Sequence, residues 1–213
     1  MTRLLVATRS LGKQAEFRSL LARLPVTITF PAELGLAESA EERGLETHTT
    51  FEANATAKAR WFARRSGLPT LADDSGLEVD ALDGAPGVHS KRFAGRDGSD
   101  VLVADANNAK LLEALRDIPG PRRTARYRCV LVLVRPGGRE VVASGTTEGR
   151  IAPMARGRGG FGYDPLFISD ELGVSFGEAS AEAKHSVSHR GRAIGALMAT
   201  AGSWLDDRHL AAD

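Results

Sequence analysis

The N-terminal segment limits the fold more than any other part of the chain. Leu4, Leu5, Val6 and Ala7 form an apolar run that reads as a short buried strand. Thr8 to Lys13 reads as a turn. Phe17, Leu20, Leu21 and Leu24 then follow the i, i+3, i+4, i+7 spacing of one helix face. Pro25 stops that helix, because proline has no N–H and clashes with the preceding turn, and Val26 to Phe30 returns to a strand pattern. Strand, turn, helix and strand in such close succession make the chain α/β.

The alternation continues downstream. Ala32 to Thr47 is charged and weakly patterned, and reads as loop. Thr49 and Glu52 have capping-box spacing ahead of a helix that presents Phe51, Ala55, Ala59 and Phe62 on one face and runs to about Arg65, closed by Gly67 and Pro69. Thr70 to Ala72 enters a strand expected to end in the carboxylates of Asp73 and Asp74, with Gly76 turning the chain. Gly84 to Gly87 is a turn. Asp100 is placed to cap a helix bearing Ala104, Leu111, Leu112 and Leu115. Tyr127 to Val134 lacks alternation, which predicts a strand buried on both faces. Pro136, Gly137 and Gly138 turn it back into Glu140 to Ser144 as a hairpin, a candidate second lobe. Gly145 to Gly162 is rich in glycine and arginine and is expected to be mobile. A short strand at Pro165 to Ile168 and a last helix from about Ser188, burying Ile194, Leu197, Met198 and Ala201, complete a single domain over residues 1–213.

Composition narrows the functional classes. Lys and Arg number 28 against 27 Asp and Glu, a net charge of +1, so no broad basic field exists to hold nucleic acid and any polyanion must be gripped locally. The lone cysteine, Cys129, lies in an apolar run and reads as a buried structural thiol suited to a reducing compartment. The first apolar run is too short for a signal peptide, and no stretch approaches a membrane span. These features predict a soluble, cytoplasmic protein with no membrane partner.

Four constellations carry chemistry. In the first, Thr8, Arg9, Ser10, Leu11, Gly12 and Lys13 join a strand to a helix N-terminus, where outward N–H groups and the helix dipole favour an anion. Gly12 permits close approach and Lys13 adds a point charge, which suits a polyphosphate, although the spacing is not that of a Walker A loop. An ordinary turn with an exposed lysine is the alternative. In the second, Asp73 and Asp74 at a buried strand end need compensation; Mg²⁺, which takes one or two carboxylates plus substrate phosphates, would supply it. The alternative is a loop in which one aspartate caps a turn. In the third, Gly159 to Pro165 surrounds Phe161 with glycines, leaving the ring either open for a base to stack on or pinned in the core. In the fourth, Lys184, with His189 and Arg190 after Ser188, places donors close together at a helix start, where basic residues are slightly unfavourable unless an anion or ligand is near.

The segments LLVATRSLGK, ETHTTFEANATAKAR, LADDSGLEVDALDGAPGVHSKRFAG, GGFGYDPLF and SVSHRGRA, in that order across residues 4 to 195, resemble the inosine triphosphatase family, pyrophosphatases that remove deaminated purine nucleotides. The resemblance implies an elongated mixed β-sheet flanked by helices, with two lobes and a central substrate cleft. It implies hydrolysis of the triphosphates of inosine, deoxyinosine and xanthosine to monophosphate and pyrophosphate, with Mg²⁺ as cofactor, in a homodimer. By the same resemblance Thr8 to Lys13 hold the phosphates, and Asp74 is both proton acceptor and metal ligand. Ser75 is a substrate contact. Phe161, Gly162, Tyr163 and Asp164 form the base loop, and Lys184, His189 and Arg190 read the purine edge. Three positions depart from the family pattern. Arg9 and Ser10 replace the usual Gly-Asn after the first threonine, and His48 replaces a glycine. Glu46 aligns without gaps as the second metal ligand, and Glu41 or Glu42 takes that role if the loop is longer.

Overall fold

The structure is a computed structural model that describes residues 2–201. Its strands and α-helices run in the order β1 (Thr2–Val6), α1 (Leu11–Leu20), β2 (Val26–Thr29), α2 (Ala40–Arg43), α3 (Phe51–Ser66), β3 (Thr70–Val79), α4 (Asp100–Ala114), β4 (Thr124–Val134), β5 (Glu140–Ile151), β6 (Phe167–Ser169), α5 (Ala181–Val187) and α6 (His189–Ala201). The strands form one sheet in the order β2-β1-β3-β4-β5-β6. β1 pairs in parallel with β2 and β3, whereas β5 and β6 are antiparallel, so the sheet is mixed. The parallel pairs follow from the connections, since each return passes through helix.

Two compact units divide the chain. The first takes the described residues up to Asp74, Val130–Ser144 and those from Ala193 on; the second takes Ser75–Cys129 and Gly145–Arg192. In the first unit, Phe51, Ala55, Ala59 and Phe62 of α3 supply the apolar stripe expected from their spacing, and Ala55, Ala59 and Phe62 pack with Leu5, Ala7, Ala72, Val132 and Val134. In the second, Leu77 and Val79 of β3, Leu111 of α4, Ala125 and Tyr127 of β4 and Phe167 of β6 make a separate core with Phe176. Cys129 is buried, as expected. The tip of the β4–β5 hairpin belongs to the first unit, so the hairpin is not itself a second lobe.

Several expected boundaries move. The first turn is shorter than the sequence implied, because Leu11, Gly12 and Lys13 already lie in α1. Ala32 to Thr47 contains a 3₁₀ turn at Pro31–Leu34 and the one-turn helix α2. The cap of α3 is Thr50, whose hydroxyl accepts from the Ala53 N–H at 3.2 Å. The box with Thr49 does not close, since the third helical residue is then alanine and not Glu52. Ser99, not Asp100, caps α4. β3 does not stop at Asp74; it runs on through Gly76, because Leu77 and Val79 have the second core to enter. Gly145 to Ile151 extends β5 beyond the expected end at Ser144. Gly149 is required there, as a Cβ at that position would lie 2.2 Å from the carbonyl of Ile168 on β6. Among the described residues no helix is long and apolar enough to cross a membrane.

Candidate functional site

The pairing of β1 with β3 ends at Val6 and Leu71, extended by the Ala7 N–H donating to the Leu71 carbonyl at 2.8 Å. Beyond that point the two chains separate: β1 gives way to the turn before α1, and β3 carries on with Asp73 and Asp74. Thr8 holds the turn. Its hydroxyl accepts from the Ser10 N–H at 3.3 Å, and its carbonyl accepts from the Gln14 side chain at 3.2 Å. Ser10 is the N-cap of α1, yet its side chain makes no capping bond and the first turn holds no acidic residue. The first N–H groups of a helix have no partner within it, so those of Leu11, Gly12 and Lys13 are donors available to an anion.

The two aspartates of β3 have different direct partners within one charged cluster. Asp73 meets Lys13 of α1 at 2.9 Å, its own side chain fully buried. Asp74 accepts from the Asn54 amide of α3 at 2.9 Å. Asn54, buried completely, also accepts from the His48 N–H at 2.9 Å and so ties the segment before α3 to Asp74. One helical turn along, Lys58 pairs with Glu46. Burial pushes the Asp74 carboxyl above the ordinary aspartate range, with Lys13 and Lys58 pulling it back. The Lys58 ammonium holds Glu46 down to about 2, against the effect of burial. Burial works against the charge on Lys58 itself, but Glu46, Asp73 and Asp74 outweigh it and raise its pKa.

Three carboxylates therefore face two ammonium groups, with a formal excess of one negative charge. That excess and the desolvated Asp74 favour a cation, whose remaining charge substrate phosphates would balance. Among the described residues no group of three His, Cys, Asp or Glu side chains forms a ready-made cage. This donor set suits Mg²⁺, which completes its shell with substrate phosphates and water. Glu46 is the acidic residue of its segment that couples to Asp74; Glu42 is engaged by Arg9 and Glu41 is exposed.

The second unit gathers the other predicted residues. Asp164 is their hub: one carboxylate oxygen accepts from the Phe161 N–H at 2.7 Å and from Lys184 at 2.5 Å, and the other accepts from the Tyr127 hydroxyl at 3.3 Å. Gly160, at φ +69°, has no room for a side chain, since a Cβ would lie 2.0 Å from that carboxylate. The Lys184 ammonium sits 4.9 Å from the Phe161 ring centre, within cation–π reach. His189 stacks on Tyr127 with ring centres 4.7 Å apart and planes 11° apart. Arg190 donates to Ser75 at 2.9 Å. Lys184, His189 and Arg190 are 4%, 4% and 1% exposed, so each donor is pre-oriented by packing. The Tyr163 hydroxyl donates to the Ser90 carbonyl at 2.9 Å, and burial raises its pKa, which keeps it a neutral donor. Asn108 donates to the Gly162 carbonyl at 3.0 Å and fixes the loop from α4.

The predicted residues thus fall into two groups. Thr8, Ser10, Leu11, Gly12, Lys13, Glu46 and Asp74 lie in the first unit; Ser75, Phe161, Gly162, Tyr163, Asp164, Lys184, His189 and Arg190 lie in the second. Arg9 lies in the first unit, and its Nε and Nη2 engage Glu42 and the Leu36 carbonyl. Sequence reasoning passed over Asn54, Lys58, Tyr127 and Asn108. A signal existed for the first two: they stand four residues apart, along the edge of an apolar helix stripe, where a buried polar side chain is unusual.

A model of the Ham1 family matches residues 4–200. The dITP/XTP pyrophosphatase of Geobacter sulfurreducens is 49% identical over 197 residues, covering 92% of this chain and 95% of that protein. The dITP/XTP pyrophosphatase of Exiguobacterium sibiricum is 45% identical over 205 residues, covering 96% and 100%. Among solved structures, a HAM1 protein from Coxiella burnetii aligns with a TM-score of 0.80 at 35% identity, over 95% of this chain and 100% of that one. A nucleoside-triphosphatase / dITP/XTP pyrophosphatase from Mycobacterium abscessus aligns at 0.71 with 42% identity, over 92% and 99%. With a family model matching residues 4–200 and relatives alike over nearly its whole length, the chain belongs to the Ham1 family.

Proposed function

We propose that the protein hydrolyses deaminated purine nucleoside triphosphates (ITP, dITP and XTP) to the monophosphate and pyrophosphate, cleansing the nucleotide pool. The observation that carries this reading is the uncapped N-terminus of α1 with Lys13 drawn onto Asp73, next to a buried Asp74 whose proton affinity is raised. It joins a phosphate cradle to a proton acceptor, and it is supported by relatives named dITP/XTP pyrophosphatase.

In the proposed reaction a water oxygen bonds to the α-phosphorus and the bond from that phosphorus to the bridging oxygen breaks, releasing pyrophosphate. Asp74 takes the water's proton, a role suited to a carboxylate whose pKa burial has raised. Thr8, Ser10, Lys13 and the N–H groups of Leu11 and Gly12 hold the phosphates and the charge of the leaving pyrophosphate. Asn54 keeps the Asp74 carboxylate oriented. Asp74 and Glu46 would hold Mg²⁺, which when bound neutralises phosphate charge and orients the water.

For base recognition, Phe161 stacks on the base, and Lys184, His189 and Arg190, with Ser75, present donors to its edge. Hypoxanthine and xanthine offer a carbonyl at position 6, whereas adenine offers a donor, and a buried donor-to-donor mismatch discriminates by up to ~10⁴–10⁵-fold. Asp164, held by three donors, acts as the pin of the loop. The buried single cysteine is in keeping with a cytoplasmic location, and a homodimer is the expected assembly. Phosphorus NMR of an ITP digest tests the reaction itself. Inosine monophosphate and pyrophosphate are the expected products; diphosphate and orthophosphate would place the attack at the wrong phosphorus.

A further inference from the structure

Arg9 stands in the middle of the turn between β1 and α1, and its guanidinium engages protein groups. Nε meets one oxygen of Glu42 at 2.6 Å, and Nη2 meets the other at 2.7 Å and the Leu36 carbonyl at 2.9 Å. The two side chains are 27% and 13% exposed, so the pair is largely shielded from water. A planar fork closing on a carboxylate fixes geometry as well as charge.

What the fork grips is a segment with little else of its own. Around α2 the backbone hydrogen bonds are local: Gly44 to Glu41, Leu45 to Glu42 and Leu36 to Pro31. Leu36 and Leu45 are only partly buried against the first unit's core. The segment ends at Glu46, which meets Lys58, and at His48, whose backbone meets Asn54. Arg9 holds its upstream half, and Lys58 and Asn54 hold its downstream half. The backbone of Arg9, meanwhile, belongs to the turn that Thr8 shapes.

We propose that Arg9 is a positioning residue, which with Glu42 fastens the phosphate turn to the segment carrying Glu46 and so fixes Glu46 beside Lys58 and Asp74, without contacting phosphate itself. The proposal rests on the phosphate and carboxylate roles proposed above. Loosening the fork lowers the fraction of molecules in which the segment is in place. Apparent affinity falls by that fraction, while saturating substrate repopulates the ordered arrangement. The signature is therefore a rise in KM with kcat nearly kept.

The test uses Arg9→Ala, Arg9→Lys, Glu42→Ala and the double variant Arg9→Ala/Glu42→Ala in the full-length protein. Steady-state kinetics on ITP with saturating Mg²⁺ are read beside amide hydrogen exchange on the metal-free, nucleotide-free protein. Each alanine variant is expected to raise KM about 10-fold, a loss of ~1.4 kcal/mol of apparent affinity, with kcat within about 3-fold of wild type. The double variant is expected to be no worse than either single, because both remove one interaction. Arg9→Lys, which keeps the charge but not the fork, should lie close to Arg9→Ala. Exchange should accelerate across residues 36–48 while β1 and α3 keep their protection. A raised KM for Arg9→Ala with an unchanged or lowered KM for Glu42→Ala would overturn the proposal, since it would make Arg9 a direct phosphate ligand. Unchanged KM and exchange in both singles, even with reduced thermal stability, would also overturn it. Should the wild-type protein release no pyrophosphate, the functional reading fails separately and exchange alone decides: acceleration in both singles supports the coupling, and unchanged exchange overturns it.

Discussion

Asp74 is held in the folded protein at a cost, because burial favours its protonated form. The sign is fixed by linkage. The folded state binds the proton more tightly than the unfolded chain, so the cost is absent in acid and sets in as pH rises through the folded value. Asp74→Asn is therefore expected to raise Tm at neutral pH in EDTA, by about 2–4 °C for each kcal/mol recovered. It should also lower turnover by roughly 10²–10⁴-fold while nucleotide binding stays measurable. Near-normal turnover would sink the assignment. Glu46 behaves in the opposite sense: its folded pKa lies near 2, below the usual 4.5, so its pairing with Lys58 contributes stability above 4.5 that is lost as pH falls toward 2. In melts from pH 7 to pH 2, Lys58→Met should lie below wild type at neutral pH and the gap should shrink in acid. A gap independent of pH would contradict the pairing. At this scale Asp74 and Lys13 were legible because their types and neighbours announce chemistry. Asn54 and Lys58 leave only the weaker mark of their four-residue spacing, since a polar residue beside an apolar stripe looks solvated until the opposite wall is known.

Among the elements, legibility followed the range of the interaction that decides each boundary. The stripe of α3 and the parallel start of the sheet depend on local spacing, and both were readable. The continuation of β3 past Asp74 depends on Leu77 and Val79 finding a distant core, and the extension of β5 through Gly149 depends on the close approach of β6. Neither leaves a local mark. The loop around Phe161 leaves its ring either open or pinned as far as the sequence goes; Asp164 closes the turn locally on the Phe161 N–H, but its other donors, Tyr127 and Lys184, come from far along the chain. That turn yields its own prediction. Gly160→Ala combines a positive φ with a Cβ at 2.0 Å from the Asp164 carboxylate, so the loop must open. KM for ITP is expected to rise at least ~10-fold, with inhibition by free pyrophosphate unchanged, because the phosphate turn belongs to the other unit. An unchanged KM for ITP would show that the loop does not hold the base.

For the whole molecule, the α/β class followed from the first strand–helix–strand alternation, and membership of the Ham1 family from motifs spread along residues 4 to 195. The division into two units was not legible in detail. β3, β4 and β5 each pass from one unit to the other, so no linker or composition shift marks the boundary. On the proposed reading, the first unit's residues take the polyphosphate and the second unit's take a base edge that accepts hydrogen bonds. The most direct measurement is pyrophosphate release from ITP, dITP, XTP, ATP and GTP with Mg²⁺, each beside an EDTA control. Strong release from the first three only, abolished by EDTA, is the predicted result. Equal release from all five would contradict the donor-pocket account of specificity, and no release from any would contradict the proposed reaction.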